Sequence, residues 1–98
     1  MKLKTIDQAT IDTIHGISER LMLLNNKMVE NGIKDTSLHL DWSANCSSVD
    51  VYISYWVEGK CEVKSQDSYT WYYDEELCGC TLEGLYKLIE EWETKYGL

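Results

Sequence analysis

The chain predicts an α+β domain, with an N-terminal helix, an antiparallel meander of three or four strands and a C-terminal helix. Three features carry this expectation: an apolar stripe at helical spacing near the start, period-two alternation through the middle, and a second helical stripe near the end. Both helices are expected on one face of the sheet, because the opposite face is polar. The 98 residues contain no linker-like stretch and form one domain, 1–98, long enough to bury a core without disulfides or metals.

The first helix is expected over about residues 6–31. Thr5 and Gln8 have the spacing of a capping box, and Asp7 adds negative charge where the helix dipole favours it. Ile14, Ile17, Leu21, Leu24 and Met28 form the stripe, widened by Ile11 and Leu23. Gly32 stands where a left-handed residue ends a helix, followed by apolar Ile33. Gly16 costs roughly 1 kcal/mol against alanine in a helix and is expected to allow close packing on the sheet.

In the middle, Leu38, Leu40 and Trp42 alternate with His39 and Asp41. Val49, Val51, Ile53 and Tyr55 alternate with Asp50, Tyr52, Ser54 and Trp56. A third run turns Cys61 and Val63 inward and Glu62 and Lys64 outward; Tyr69, Trp71 and Tyr73 define a fourth. A two-residue loop at Glu58-Gly59 would set Lys64 opposite Ile53, in the core. A three-residue loop, Val57-Glu58-Gly59, instead pairs Trp56 with Lys60 and Ile53 with Val63, so it is preferred. Ser65-Gln66-Asp67-Ser68 reads as a further turn, giving four strands; the alternative is one long strand over residues 61–73. The last helix has Thr81 as N-cap, Leu82, Leu85, Leu88, Ile89, Trp92 and Tyr96 on its apolar side, and Gly97 at its end. Glu83, Glu90, Glu91 and Glu93 occupy its other side.

Charge divides the chain. Residues 1–34 hold five basic and four acidic groups, a net of +1, whereas residues 35–94 hold three basic and thirteen acidic groups, a net of −10. With Lys95 the total is −8. Such a field repels nucleic-acid phosphates and anionic lipid and attracts basic proteins, although acidity can also serve solubility alone. Without a secretory signal or an apolar run of membrane-spanning length, a cytoplasmic location with reduced thiols is expected. There are four Trp and seven Tyr but no Phe, so the bulky side chains carry polar tips.

No cofactor or metal is expected. Cys46, Cys61, Cys78 and Cys80 are separated by fifteen, seventeen and two positions, unlike the paired ligands of structural zinc sites. Neither strand count gathers all four, and His15 and His39 are scattered. Cys78-Gly79-Cys80 precedes a helix N-terminus, which favours a thiolate, so a small thiol-redox or metal-binding protein is the alternative reading. Against it, the spacer is one residue short of a thioredoxin-type motif, and Asp74, Glu75 and Glu76 would raise the thiol pKa. No nucleophile–base pair, phosphate loop or calcium loop is present, and the chain is read as non-enzymatic.

The polar sheet face is the most informative surface. It is expected to carry His39, Asp41, Asp50, Tyr52, Trp56, Glu62, Lys64, Thr70 and Tyr72. Pairing Leu40 with Val51 sets Asp41 against Asp50, an unfavourable like-charge pair that a basic partner would relieve. Asp41, Asp50, Tyr52, Trp56, Glu62 and Tyr72 are the candidate binding residues, suited to ion pairs and cation–π contacts with a basic protein surface. The alternative is an ordinary solvated face, with Lys60 over Trp56 and Lys64 over Tyr52.

In size, acidity and layout the whole chain resembles the small acidic phage-encoded inhibitors of the anti-CRISPR and anti-restriction type. No motif carries the likeness, so no residue role transfers from it. It implies an inhibitor that mimics DNA electrostatically and occupies a basic groove on a nucleic-acid-handling host protein, in the host cytoplasm.

Since the helix stripes and strand faces already supply a continuous core, the protein should stay folded in chelator. Stoichiometric zinc by elemental analysis, with loss of circular dichroism on chelation, would contradict this.

Overall fold

Asp7, rather than Thr5, opens the first helix. In the computed structural model, which describes residues 5–74 and 80–97, the Asp7 carboxylate accepts from the Thr10 N–H at 2.8 Å. Helix α1 therefore runs Gln8–Glu30, and Gln8 turns forward to donate to Asp12 at 2.8 Å instead of reaching back. A carboxylate on an N–H is a charge-assisted bond, stronger than the neutral threonine cap it displaces. At the other end Gly32 has φ +81°, and the N–H groups of Gly32 and Ile33 donate to Val29 O at 3.0 Å and Met28 O at 2.9 Å. This is the Schellman closure that Gly32 anticipates.

Ile17, Leu21, Leu24 and Met28 are buried against the sheet, with Ile14 at the margin. Leu23 faces solvent and does not widen the stripe. Gly16 faces open space, so it permits no close packing. The close approach occurs in α2 (Leu82–Lys95), where a Cβ on Gly84 would stand 2.8 Å from Cζ of Tyr69. Thr81 caps α2 as expected, accepting from Gly84 N–H at 3.1 Å, and its own N–H donates to the Tyr69 hydroxyl at 3.0 Å. Leu85, Ile89 and Trp92 complete the core on the same side of the sheet as α1. Arg20 of α1 donates to both carboxylate oxygens of Glu93 on α2, at 2.5 and 3.3 Å, joining the helices. Among the described residues no helix is long and apolar enough to cross a membrane.

The sheet has three strands in the order β1 (Thr36–Ser43), β2 (Ser48–Val57), β3 (Lys60–Tyr72). Between β1 and β2 the anticipated register holds: Leu38 faces Ile53, Leu40 faces Val51 and Asp41 faces Asp50. Between β2 and β3 it does not. The loop is the two-residue Glu58-Gly59, with φ +50° and +78° as a type I′ turn requires, so Val57 pairs with Lys60 and Ser54 with Val63. Farther along, Val51 pairs with Tyr69 and Val49 with Trp71. The two registers differ by three residues, taken up between Val63 and Ser68, where residues 64–67 stand against Ile53 alone. The segment expected to be a turn is thus a bulge within one long strand, and three strands result where four were preferred.

An odd offset changes which face each side chain occupies. Beyond the bulge Tyr69 and Trp71 point to the core, as expected; before it, Cys61 and Val63 lie on the outer face and are exposed, opposite to expectation. Glu62 and Lys64 take the helix side, where Lys64 Nζ sits 4.9 Å from the centre of the Tyr55 ring rather than over Tyr52.

The outer edge of β1 is occupied at Leu38 by a side chain. Asn25 of α1 donates to Leu38 O at 3.0 Å and accepts from Leu38 N–H at 2.9 Å, completing the two backbone groups that this residue turns away from β2. Asn25→Leu should lower stability by about 1–3 kcal/mol in denaturant unfolding. Asn25→Asp should also destabilise, because a carboxylate cannot donate to the Leu38 carbonyl. Exposed Asn26→Ala should change stability by less than about 0.5 kcal/mol.

Candidate functional site

The even-numbered side chains of β2 project from the sheet away from both helices. Asp50, Tyr52, Ser54 and Trp56 form the middle row; Asp41 and His39 flank it from β1, and Cys61, Val63, Ser68, Thr70 and Tyr72 from β3. Five of the six candidate binding residues, Asp41, Asp50, Tyr52, Trp56 and Tyr72, share this face. Glu62 does not. Opposite Tyr55, it lies on the helix side because the two-residue turn shifts its register. Val63 replaces it on the outer face, 51% exposed, close to Trp56, which is 59% exposed.

Each carboxylate of the facing pair has its own hydroxyl donor. Tyr52 donates to Asp41 at 3.0 Å, and Thr70 donates to Asp50 at 2.5 Å. These bonds spread the negative charge and offset part of the repulsion between the two aspartates. His39 stacks on Tyr52, with ring centres 4.9 Å apart and planes inclined by 16°, and its Nε2 lies 2.7 Å from the Ser54 hydroxyl. Tyr52 thus sits between a carboxylate and an imidazole, fixed by both.

The bulge also shapes the surface. By displacing β3 between Val63 and Ser68 it opens a groove of about 380 Å³, lined by Asp50, Tyr52, Val63, Ser68 and Thr70. One wall is apolar, one aromatic, and a carboxylate lies at its margin. Such a recess suits a long side chain with an alkyl stem and a cationic head. Lys60 and Lys64 do not neutralise the aspartates: Lys64 engages Tyr55 on the far side, and Lys60, opposite Val57, also belongs to the helix side.

Other candidates are less organised. Cys46 and Cys61 are exposed thiols on separate loops and strands, Cys80 is half-buried, and Cys78 lies outside the described residues. Among the described residues no group of three His, Cys, Asp or Glu side chains is arranged to hold a metal ion. On α2, Glu83, Glu90 and Glu91 are exposed, while Glu93 is engaged by Arg20.

The Asp41 hydrogen bond, aided by burial, holds the Tyr52 phenol above its usual value of 10.0. A raised folded-state value means the stabilising effect is complete below about pH 10 and is lost as pH climbs through the folded value. Stability should therefore fall above about pH 10, and Tyr52→Phe should make that fall shallower in denaturant titrations at alkaline pH. Tyr55, raised by burial and by its bond to Asp67, contributes in the same sense and is retained in both proteins. An unchanged alkaline slope in the variant would contradict the Asp41–Tyr52 coupling.

Compared with protein families, curated proteins and solved structures, the chain finds no match.

Proposed function

We propose that the protein is a non-enzymatic binding module whose outer sheet face docks on a basic protein surface. The observation that carries this is the juxtaposition on one uncovered face of Asp41 and Asp50, directly opposed, with exposed Trp56 and the groove beside Tyr52 and Val63. Guanidinium and ammonium groups complement each part: the carboxylates have acceptor capacity beyond their single hydroxyl donors, and the indole and phenol faces attract cations. A partner's positive charge would also remove the residual repulsion between the aspartates, so binding and relief of that strain are coupled. In its specific form the proposal is a phage-type inhibitor that covers the basic surface of a nucleic-acid-handling host protein. The net charge of −8 favours fast, salt-sensitive encounter with such a target and disfavours direct contact with nucleic acid.

The test is capture of partners from host lysate at stepped salt, followed by titration of the captured protein with variants. Trp56→Ala should weaken binding by roughly 2 kcal/mol or more, as aromatic hot spots do. Asp41→Asn with Asp50→Asn should keep the fold, weaken binding and flatten its salt dependence. Charge reversal at Glu83, Glu90 and Glu91 on α2 is the control. Binding lost in those helix variants and kept in the sheet variants would move the site to α2. No basic partner captured at low salt would overturn the proposal.

A further inference from the structure

We propose that the outer edge of β3 is a self-association site, pairing antiparallel with β3 of a second copy of this chain about a two-fold centred on Val63. This rests on the strand edge and not on the reading of the outer face, although Val63 belongs to both surfaces. The two sheet edges differ: β1 is occupied at Leu38 by the Asn25 side chain, whereas every residue from 56 to 66 along the β2–β3 hairpin is exposed. The phase of the backbone hydrogen bonds identifies which groups the β3 edge offers. In a two-residue hairpin the flanking pair, Val57–Lys60, is the hydrogen-bonded one, and alternate pairs follow it. Cys61 and Val63 therefore turn their N–H and C=O outward. Trp56, paired with Cys61, shows the same phase on the other side, donating its N–H to Asp35 O at 2.8 Å.

Charge then selects the occupant and the register. The chain as a whole carries −8, yet residues 56–66 hold Glu58, Lys60, Glu62 and Lys64 and are locally neutral, so two copies can meet here without like-charge repulsion. Centred on Val63, the pairing sets Glu62 of each copy against Lys64 of the other, twice by symmetry, and Lys60 against neutral Gln66. Glu62 and Lys64 lie on one face, since Glu62 pairs with Tyr55 and Lys64 covers the Tyr55 ring. Centring on Glu62 would oppose Glu62 to itself and Lys60 to Lys64. Centring on Cys61 would pair Lys60 with Glu62, but it runs into the Gly59 turn after one residue on either side. Charged residues on an edge strand commonly prevent indiscriminate pairing; here their alternating sign leaves one favourable register. The two Val63 side chains meet on the outer face beside Trp56, covering apolar surface that a single copy exposes.

The experiment is sedimentation equilibrium of the full chain from about 10 μM to about 1 mM, the range in which a short strand pair would associate. The expected result is a concentration-dependent dimer in which the Cys61 and Val63 amides become protected from hydrogen exchange. Glu62→Lys and Lys64→Glu should each weaken association at least about tenfold, because symmetry repeats the affected pair. The double reversal should return it to within about threefold of the parent, an outcome that loss of fold cannot produce. Lys60→Glu should change little. A monomer across the whole range overturns the proposal, as does a dimer sensitive to Lys60→Glu and indifferent to Lys64→Glu.

Discussion

A three-residue offset within β3 reconciles two demands that a regular strand could not meet together. The tight turn at Glu58-Gly59 dictates one pairing of β3 with β2, and the core requires another. Continued without interruption, the turn's register would point Thr70 and Tyr72 at the helices and put Tyr69 and Trp71 in water. The bulge at residues 64–67 restores the aromatic residues to the core, where Trp71 packs beneath the helices and Tyr69 receives the Thr81 N–H at the start of α2. It also lets Asp67 accept from Tyr55 at 2.6 Å, which ties the bulge back to β2. The docking of α2, the composition of the outer face and the groove beside Val63 all follow from this offset.

The choice of tyrosine over phenylalanine acquires a physical reason in this setting. Beyond filling volume, its polar tip fastens one element to another. Tyr69 links β3 to α2, Tyr55 links β2 to the bulge, Tyr52 links β2 to Asp41 of β1, and Tyr73 accepts from the Trp42 indole at 3.2 Å. A phenylalanine in any of these places would bury similar area yet leave a donor or acceptor of its neighbour without that bond.

Both helices, their apolar stripes, the Gly32 closure, the Thr81 cap and the β1–β2 register are legible in the residue pattern because each depends on local spacing. The facing aspartates were readable for the same reason: alternation in two strands, joined by a short loop, leaves one register that buries both apolar rows. The β2–β3 hairpin was not. With pairing unbroken from turn to core, only the three-residue loop keeps Lys64 out of the core, and that register moves Glu62 and Val63 to the wrong faces. Two signals point the other way: a Gly after a single loop residue, and a polar stretch, Ser65 to Ser68, with no glycine or proline to turn the chain. Asp7 outcompetes Thr5 through a local charge-assisted bond that the capping-box pattern of Thr5 and Gln8 masks, whereas the idle Gly16 depends on tertiary placement, which spacing does not encode.

Asn25 has a consequence beyond the stability of β1. A sheet with two open edges can propagate, each added molecule presenting a fresh template for the next, which is how ordered aggregates grow. This sheet is obstructed on one side, at Leu38, by a side chain belonging to its own helix. A strand that joins at β3 leaves β1 as the far boundary, where a newcomer would have to displace the Asn25 amide from Leu38 before it could pair along the strand. The amide of one residue thus raises the cost of extending the sheet past β1.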